Sequence, residues 1–370
     1  MTNENIYLDY AATTPADDDI MAAALPYYKE VFYNPSSMHA LGQKANAAVE
    51  RARRQCAQAI NAEPCEIYFT SGGTESVNCA LNAALGKELV VSAIEHDSAL
   101  ACAERLKNEK TVVRYVKPAR DGIITPDALA AAMTSNTALV CVMAVNNIVG
   151  SVQPIKQLAD VAHKNNALFF TDAVQAVNCL DIDVKDWGVD MLAVSGHKFY
   201  APKGAGFLYV KKGVKLNPFI VGGNQEGGLR AGTHNTPAIV AMGEAIQKAK
   251  AQRENYNNHV RNVATAFIGA INCGKVIECK NKTDDIISLV FQGPSGYING
   301  GRLATALSMQ GVCCSVGSAC SAGSATPPET LVAMGVEHAD SSVLFSFGKY
   351  TTVEQALKAA KIVNSVVARF

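Results

Sequence analysis

From about residue 20 to 240 the chain alternates between segments with an apolar stripe at helical spacing and short, nearly unbroken apolar runs. RARRQCAQAIN reads as a helix, EIYFTSG as a strand entering a turn, and TESVNCALNAAL as a helix. ELVVSAIEH (strand), DSALACAERLKNE (helix), TALVCVMAVNN (strand), PIKQLADVAHKNN (helix) and ALFFTDAVQ (strand) continue the pattern, and VDMLAVSGHK and AGFLYVKK read as two more strands. Strands without polar alternation, separated by helices, predict a largely parallel sheet covered on both faces. After the Gly-rich VGGNQEGGLRAGT, a helical stretch of roughly 237 to 270 reads as a link to a smaller α+β unit. That unit has strands at DDIISLVFQG and SSVLFSFGK and a helix at INGGRLATALSMQG. Its last helix is expected to begin at Thr351, with Glu354 completing a capping box.

Composition narrows the class. At 370 residues the chain can bury one large core and a second, smaller one. Apolar residues make up 49% and charged residues 18%, as in a compact globular protein. Lys plus Arg (33) balances Asp plus Glu (33), so neither direct nucleic-acid binding nor an anionic membrane surface is expected. The N-terminal MTNENIYLDYAATTPADDD has no signal-peptide core, and no apolar run reaches the ~18 residues of a membrane span. A cytoplasmic location is expected. The eleven cysteines are odd in number and lack zinc-type CxxC spacing, so reduced thiols and no metal are expected. Cys56, Cys79, Cys102 and Cys141 sit in apolar contexts and read as core filler.

Ligands of open α/β sheets bind beyond the carboxyl ends of the strands. EIYFT is followed by Ser71, Gly72, Gly73, Thr74 and a helix, an opening that exposes N–H groups for a phosphate, although a tight strand–helix turn explains it equally well. The strand ALFF ends at Asp172, with Gln175 three residues on. MLAV ends at Ser195, Gly196, His197 and Lys198, an unusual setting for a solvated lysine. One helix fits between Asp172 and Lys198, so both can face one crevice. A pyridoxal cofactor needs this inventory: a lysine amine for its aldehyde, a carboxylate for its ring nitrogen and donors for its phosphate. His96, after another strand end, offers a flat ring; taken alone it reads as a loop histidine.

YLDYAATTP, TSGGTES, EH, VNN, TDAVQ, SGHK, RAGT and GSACSAGS occur in the order and approximate spacing of the cysteine desulfurases. The chain thus resembles, from about residue 6 onward, that group within the class V aminotransferase-like branch of the fold-type I pyridoxal-phosphate enzymes. The resemblance implies a large domain (16–255) with a mostly parallel seven-stranded sheet, and a small α+β domain (1–15 and 256–370) carrying the GSAC loop. It implies that Lys198 bonds the cofactor, Asp172 pairs with its ring nitrogen, and His96 stacks on the ring and serves as an acid–base group. Gln175 would meet the phenolic oxygen, Asn147 cofactor or substrate, and Gly73, Thr74, Ser195 and His197 the phosphate. Thr233 would reach the phosphate of a neighbouring subunit, implying a homodimer. Cys320, on a run of small residues suited to a mobile loop, would take sulfur from L-cysteine and pass it to an acceptor protein such as a cluster scaffold or thiolation protein.

Two positions depart from the pattern. Where the desulfurases carry an arginine for the substrate carboxylate, this chain has Leu344. The VNNEIG pattern becomes Asn146-Asn147-Ile148-Val149-Gly150, losing a carboxylate. Arg230 or Lys349 is expected to substitute as the cation; a different substrate, or dependence on a partner, stays open. The competing readings are another pyridoxal-dependent lyase or aminotransferase acting on a non-standard amino acid, and a sulfur-relay scaffold. The sequence ends at Phe370 directly after the last helix, which is expected to favour a specialised pathway.

Overall fold

The computed structural model describes residues 5–317 and 327–370. Its large sheet has seven strands in the order Ile67–Thr70, Gly206–Val210, Met191–Ser195, Leu168–Asp172, Thr137–Cys141, Glu88–Ser92, Val112–Val116. Gly206–Val210 runs antiparallel to both of its neighbours, and the remaining pairings are parallel. Both faces are buried, and successive residues pack on opposite faces. Val90, Val140, Phe169, Leu192 and Phe207 pack on one side with Val49, Cys56, Leu158 and Met242. Leu89, Val91, Leu139, Phe170, Met191 and Leu208 pack on the other with Val77, Leu81, Cys102 and Leu106. Each fully buried aliphatic or aromatic side chain stabilises the fold by about 1.5–3 kcal/mol, which is why these strands carry no polar alternation. Cys56, Cys79, Cys102 and Cys141 are buried as expected.

Gly206 shows how tightly the sheet closes beside the strand ends. A Cβ there would lie 2.6 Å from the Val194 carbonyl oxygen and 2.7 Å from Gly72 Cα, so only glycine lets these backbones approach.

The 35-residue helix Thr236–Ala270, capped by the Asn235 side chain, spans two cores. Its first half buries Ile239, Met242 and Ile246 against the large sheet. Its second half buries Val260, Val263 and Phe267 in a separate cluster with Leu289, Phe291, Phe345 and Phe347. That cluster lies on an antiparallel sheet in which Ile286–Gly293 pairs with Gly274–Val276, Gly296–Tyr297 and Ser342–Ser346. The N-terminal segment joins this unit: Ile6–Tyr7 pairs in parallel with Val312–Cys313, and Ile6 and Leu8 enter its core.

The last helix starts one residue later than expected. Thr352 is its N-cap and Gln355 completes the capping box, because the Thr351 hydroxyl is already taken by the Gly348 N–H. The strand Val112–Val116 has no counterpart in the reading above: only Val116 of its five residues is buried, so its pattern lacks the apolar run of an inner strand. No described helix is long and apolar enough to cross a membrane.

Candidate active site

Five strands of the large sheet deliver their carboxyl ends to one cleft. Gly73, Thr74, His96, Asn147, Asp172, Gln175, Ser195, His197 and Lys198 all line it.

Asp172 ends its strand almost completely buried, at 5% exposure. One oxygen accepts from the Val174 N–H at 2.9 Å, and no other described donor reaches the carboxylate. Burial raises its pKa, while Val174, His96 and Lys198 act in the opposite direction. A buried acid so weakly paired is suited to a cationic N–H arriving with a ligand.

The strand Met191–Ser195 leads directly into the single turn Gly196–Lys198. This turn is tied to the N-terminal segment: Thr14 donates its N–H and its hydroxyl to the His197 carbonyl at 3.0 and 2.9 Å. Lys198 Nζ donates to the Ala12 carbonyl at 2.9 Å and to the Ala11 carbonyl, which also receives Gln175 Nε2 at 2.9 Å. The lysine amine is thereby aimed along the N-terminal segment. His197 Nδ1 lies 3.1 Å from the Thr13 hydroxyl, and burial, with Lys198 nearby, lowers its pKa to about 4. His197 is therefore neutral at physiological pH.

His96 caps the helix Asp97–Asn108, its Nδ1 accepting from the Ser98 N–H at 3.0 Å. That bond puts the ring proton on Nε2 when the ring is neutral. Behind it, Glu95 is buried and accepts from the Met143 N–H at 2.7 Å. Burial, with Asp172 nearby, pushes the Glu95 pKa up to about 8. At the other end of the cleft, the helix Gly73–Leu81 opens toward Thr74, so its first N–H groups can meet an anion. A Cβ at Gly73 would lie 3.0 Å from Val174 Cγ2 and crowd this opening.

The donor set fits pyridoxal phosphate: a lysine amine, a buried carboxylate lacking a strong described partner, a flat imidazole ring, and hydroxyls gathered at a helix N-terminus. The other lining is Asp9, Ala11, Ala12, Ser98, Met143, Ser315, Gly317 and Leu344. Of these, the sequence marks Leu344 by its departure from the pattern, whereas Asp9 lies within YLDYAATTP with nothing in its spacing to mark it.

Four expected residues are not in this lining. Cys320 lies outside the described residues. Thr233 is exposed and away from the cleft. Arg230, expected to contact substrate, has its Nε and Nη2 bound to Glu75 at 2.9 and 3.4 Å. Lys349 is likewise committed, to Asp17, and lies over the Tyr200 ring.

Fold and site together define a pyridoxal-phosphate enzyme of the α/β kind. The chain belongs to the class V aminotransferase family, which it matches over residues 6–358. It is 38% identical to the cysteine desulfurase IscS of Methanosarcina thermophila, over 99% of this chain and 93% of that protein. It is 40% identical to the putative cysteine desulfurase IscS 1 of Bacillus subtilis, over 99% of each. Among solved structures, a NifS-like protein superposes with a TM-score of 0.92 at 30% identity, covering 99% of this chain and 100% of that one. SspA in complex with cysteine superposes with a TM-score of 0.83 at 34% identity, covering 94% and 99%.

Proposed function

We propose that the protein is a pyridoxal-phosphate-dependent cysteine desulfurase that converts L-cysteine to L-alanine, forms a persulfide on Cys320 and passes the sulfur to an acceptor protein. The observation that carries this reading is the meeting of Lys198, Asp172, His96 and Gln175 in one cleft, in a chain similar end to end to cysteine desulfurases. The lyase and aminotransferase alternative has no such support from the relatives.

When bound, pyridoxal phosphate supplies an electron sink that acidifies the α-hydrogen of an attached amino acid. Lys198 would hold its aldehyde carbon and then, displaced by the substrate amine, remain as a base for the α-proton. Asp172 would keep the ring nitrogen protonated, and Gln175 would donate to the phenolic oxygen. Gly73, Thr74, Ser195 and His197 would receive the phosphate, with Asn147 beside cofactor or substrate. His96 has Nε2 left to carry a proton to or from the substrate. Cys320 would attack as a thiolate, so that the S–S bond forms as the substrate's C–S bond breaks, and the three-carbon remainder leaves as alanine.

The same reading makes the protein a homodimer with Thr233 serving the neighbouring site; its exposure away from its own cleft supports this, as do exposed Phe32, Met38 and Val221. It divides the chain into 16–255 and 1–15 with 256–370, supported by Ile246 and Val260 packing in different cores. A cytoplasmic location accords with the ten described cysteines, all unpaired. Leu344 takes the place of the substrate-binding arginine.

Incubation with isotopically labelled cysteine followed by mass spectrometry tests the reading: label is expected as a persulfide on Cys320, and Cys320→Ser should release no alanine. Undiminished alanine and sulfide from Cys320→Ser would overturn it.

A further inference from the structure

Asp9 lines the cleft, yet no described donor reaches its carboxylate, and Oδ1 is buried without a partner. Its backbone is fixed on two sides. The Asp9 carbonyl accepts from the Tyr7 hydroxyl at 2.9 Å, and Asp9 pairs with Ser346 on the strand that carries Leu344. Leu344 is itself held by Ser315, through backbone bonds of 2.8 and 3.0 Å, and is 3% exposed. One wall of the site therefore presents an unsatisfied acid next to a hydrocarbon, where an amino-acid ligand carries a negative charge.

The substrate amine has acceptors elsewhere. It must take the place of Lys198 Nζ, which lies on the Ala11 and Ala12 carbonyls. Of the two cations expected to replace the arginine, Arg230 is bound to Glu75 and Lys349 to Asp17, and neither lines the cleft. With the residues that hold the cofactor in the proposed function set aside, the polar lining left for the α-carboxylate is Asp9, Ser98, Asn147 and Ser315, beside Leu344. Two carboxyl groups sharing one site cannot both be ionised; they hold one proton between them and titrate as a pair.

We propose that Asp9 is a specificity-determining residue that holds the α-carboxylate of cysteine through one proton shared between the two carboxyl groups, in place of an ion pair. The inference rests on the desulfurase reading only in taking cysteine as the ligand. The proton comes from solvent, so binding takes one up, and the O–H···O⁻ bond is of the short, charge-assisted kind. The groups facing Asp9 are compatible with this role. Burial already raises its pKa to about 6 against the charge of Lys198, and two described ionisable neighbours, Tyr7 and Cys314, are themselves pushed up. A ligand without the carboxylate forfeits the shared proton, so the site prefers free amino acids to their amides.

The test uses the holoenzyme and L-alanine, which has the carboxylate but no sulfur to transfer. Calorimetric titration at pH 7.5 in two buffers of different ionisation enthalpy counts the protons taken up. Wild type is expected to take up about one more than Asp9→Asn. Alanine affinity should fall about tenfold per pH unit above the Asp9 range in wild type and stay flat in Asp9→Asn, whose amide donates at any pH. Leu344→Arg, which supplies a cation, is a second variant and should also abolish the excess uptake. Equal proton uptake by wild type and both variants, or tighter binding of L-alaninamide than of L-alanine, overturns the inference. Alanine release from cysteine by wild type is measured alongside: its absence sinks the desulfurase reading, whereas release without the excess proton sinks only the role of Asp9.

Discussion

Leu344→Arg is the most informative single substitution for turnover. Removing the buried leucine forfeits about 1.5–3 kcal/mol of burial, and the guanidinium recovers part of this against the Asp9 carboxylate, whose Oδ1 has no described partner. The fold is therefore expected to persist, with Leu344→Met as a near-neutral packing control. In the site, a charge-assisted bond to the substrate carboxylate is worth roughly 1.5–3 kcal/mol, or about 10- to 100-fold in affinity. Asp9 competes for the same guanidinium, which places the net effect at the lower end, near tenfold in KM for cysteine. The gain should grow with pH, because a permanent cation replaces a proton that solvent surrenders as Asp9 ionises. Initial rates of alanine formation at pH 6 and pH 8 measure it. An unchanged or higher KM at pH 8 in a folded, cofactor-loaded variant would refute the placement of the carboxylate beside Leu344.

Glu95 titrates near 8 in the fold against about 4.5 when unfolded, so the folded form binds more protons between these values and stability falls as pH rises through that window. Glu95→Gln removes this loss, and denaturant titrations from pH 5 to 8 should show it gaining on wild type by up to about 1.4 kcal/mol per pH unit. Glu226 is buried with two 2.8 Å bonds from Arg53, one from the Phe69 N–H and a 2.5 Å contact to His234. Glu226→Ala leaves Arg53 with only Glu50 and the Ile67 carbonyl and should cost about 1.5–3 kcal/mol, read as a lower unfolding midpoint; a shift no larger than that of an exposed-site control such as Glu354→Ala would contradict the buried network. Lys198→Ala should lack the yellow absorbance of lysine-bound pyridoxal phosphate, and retention of that absorbance would exclude Lys198 as the attachment point.

The two walls of the cleft were unequally legible in the sequence. The wall formed by the large sheet announces itself, because each strand is a short apolar run and its functional residue follows within a few positions: Asp172 ends one run, and Ser195 to Lys198 close another. Periodicity finds the strand, and the rule that ligands sit beyond strand ends finds the side chain. Val112–Val116 escaped because its outer position leaves it mostly exposed, and the capping box was displaced by one residue because two threonines compete and only tertiary contact with Gly348 decides between them.

The second wall has no local signature. Asp9, Ser315 and Leu344 come from three distant segments, and their proximity depends on pairings that cross the chain: Ile6 with Val312, Asp9 with Ser346, and Ser315 with Leu344. A one-residue slip in any of these would turn the acid or the leucine out of the cleft, so register rather than composition determines what the substrate meets. This is why Leu344 could be recognised as a departure while its consequence could not. The sequence offered Arg230 and Lys349 as replacement cations, and the fold commits both to other carboxylates. With those cations engaged and Asp9 Oδ1 without a described partner, the proposed hold on the substrate carboxylate shifts from an ion pair to a shared proton.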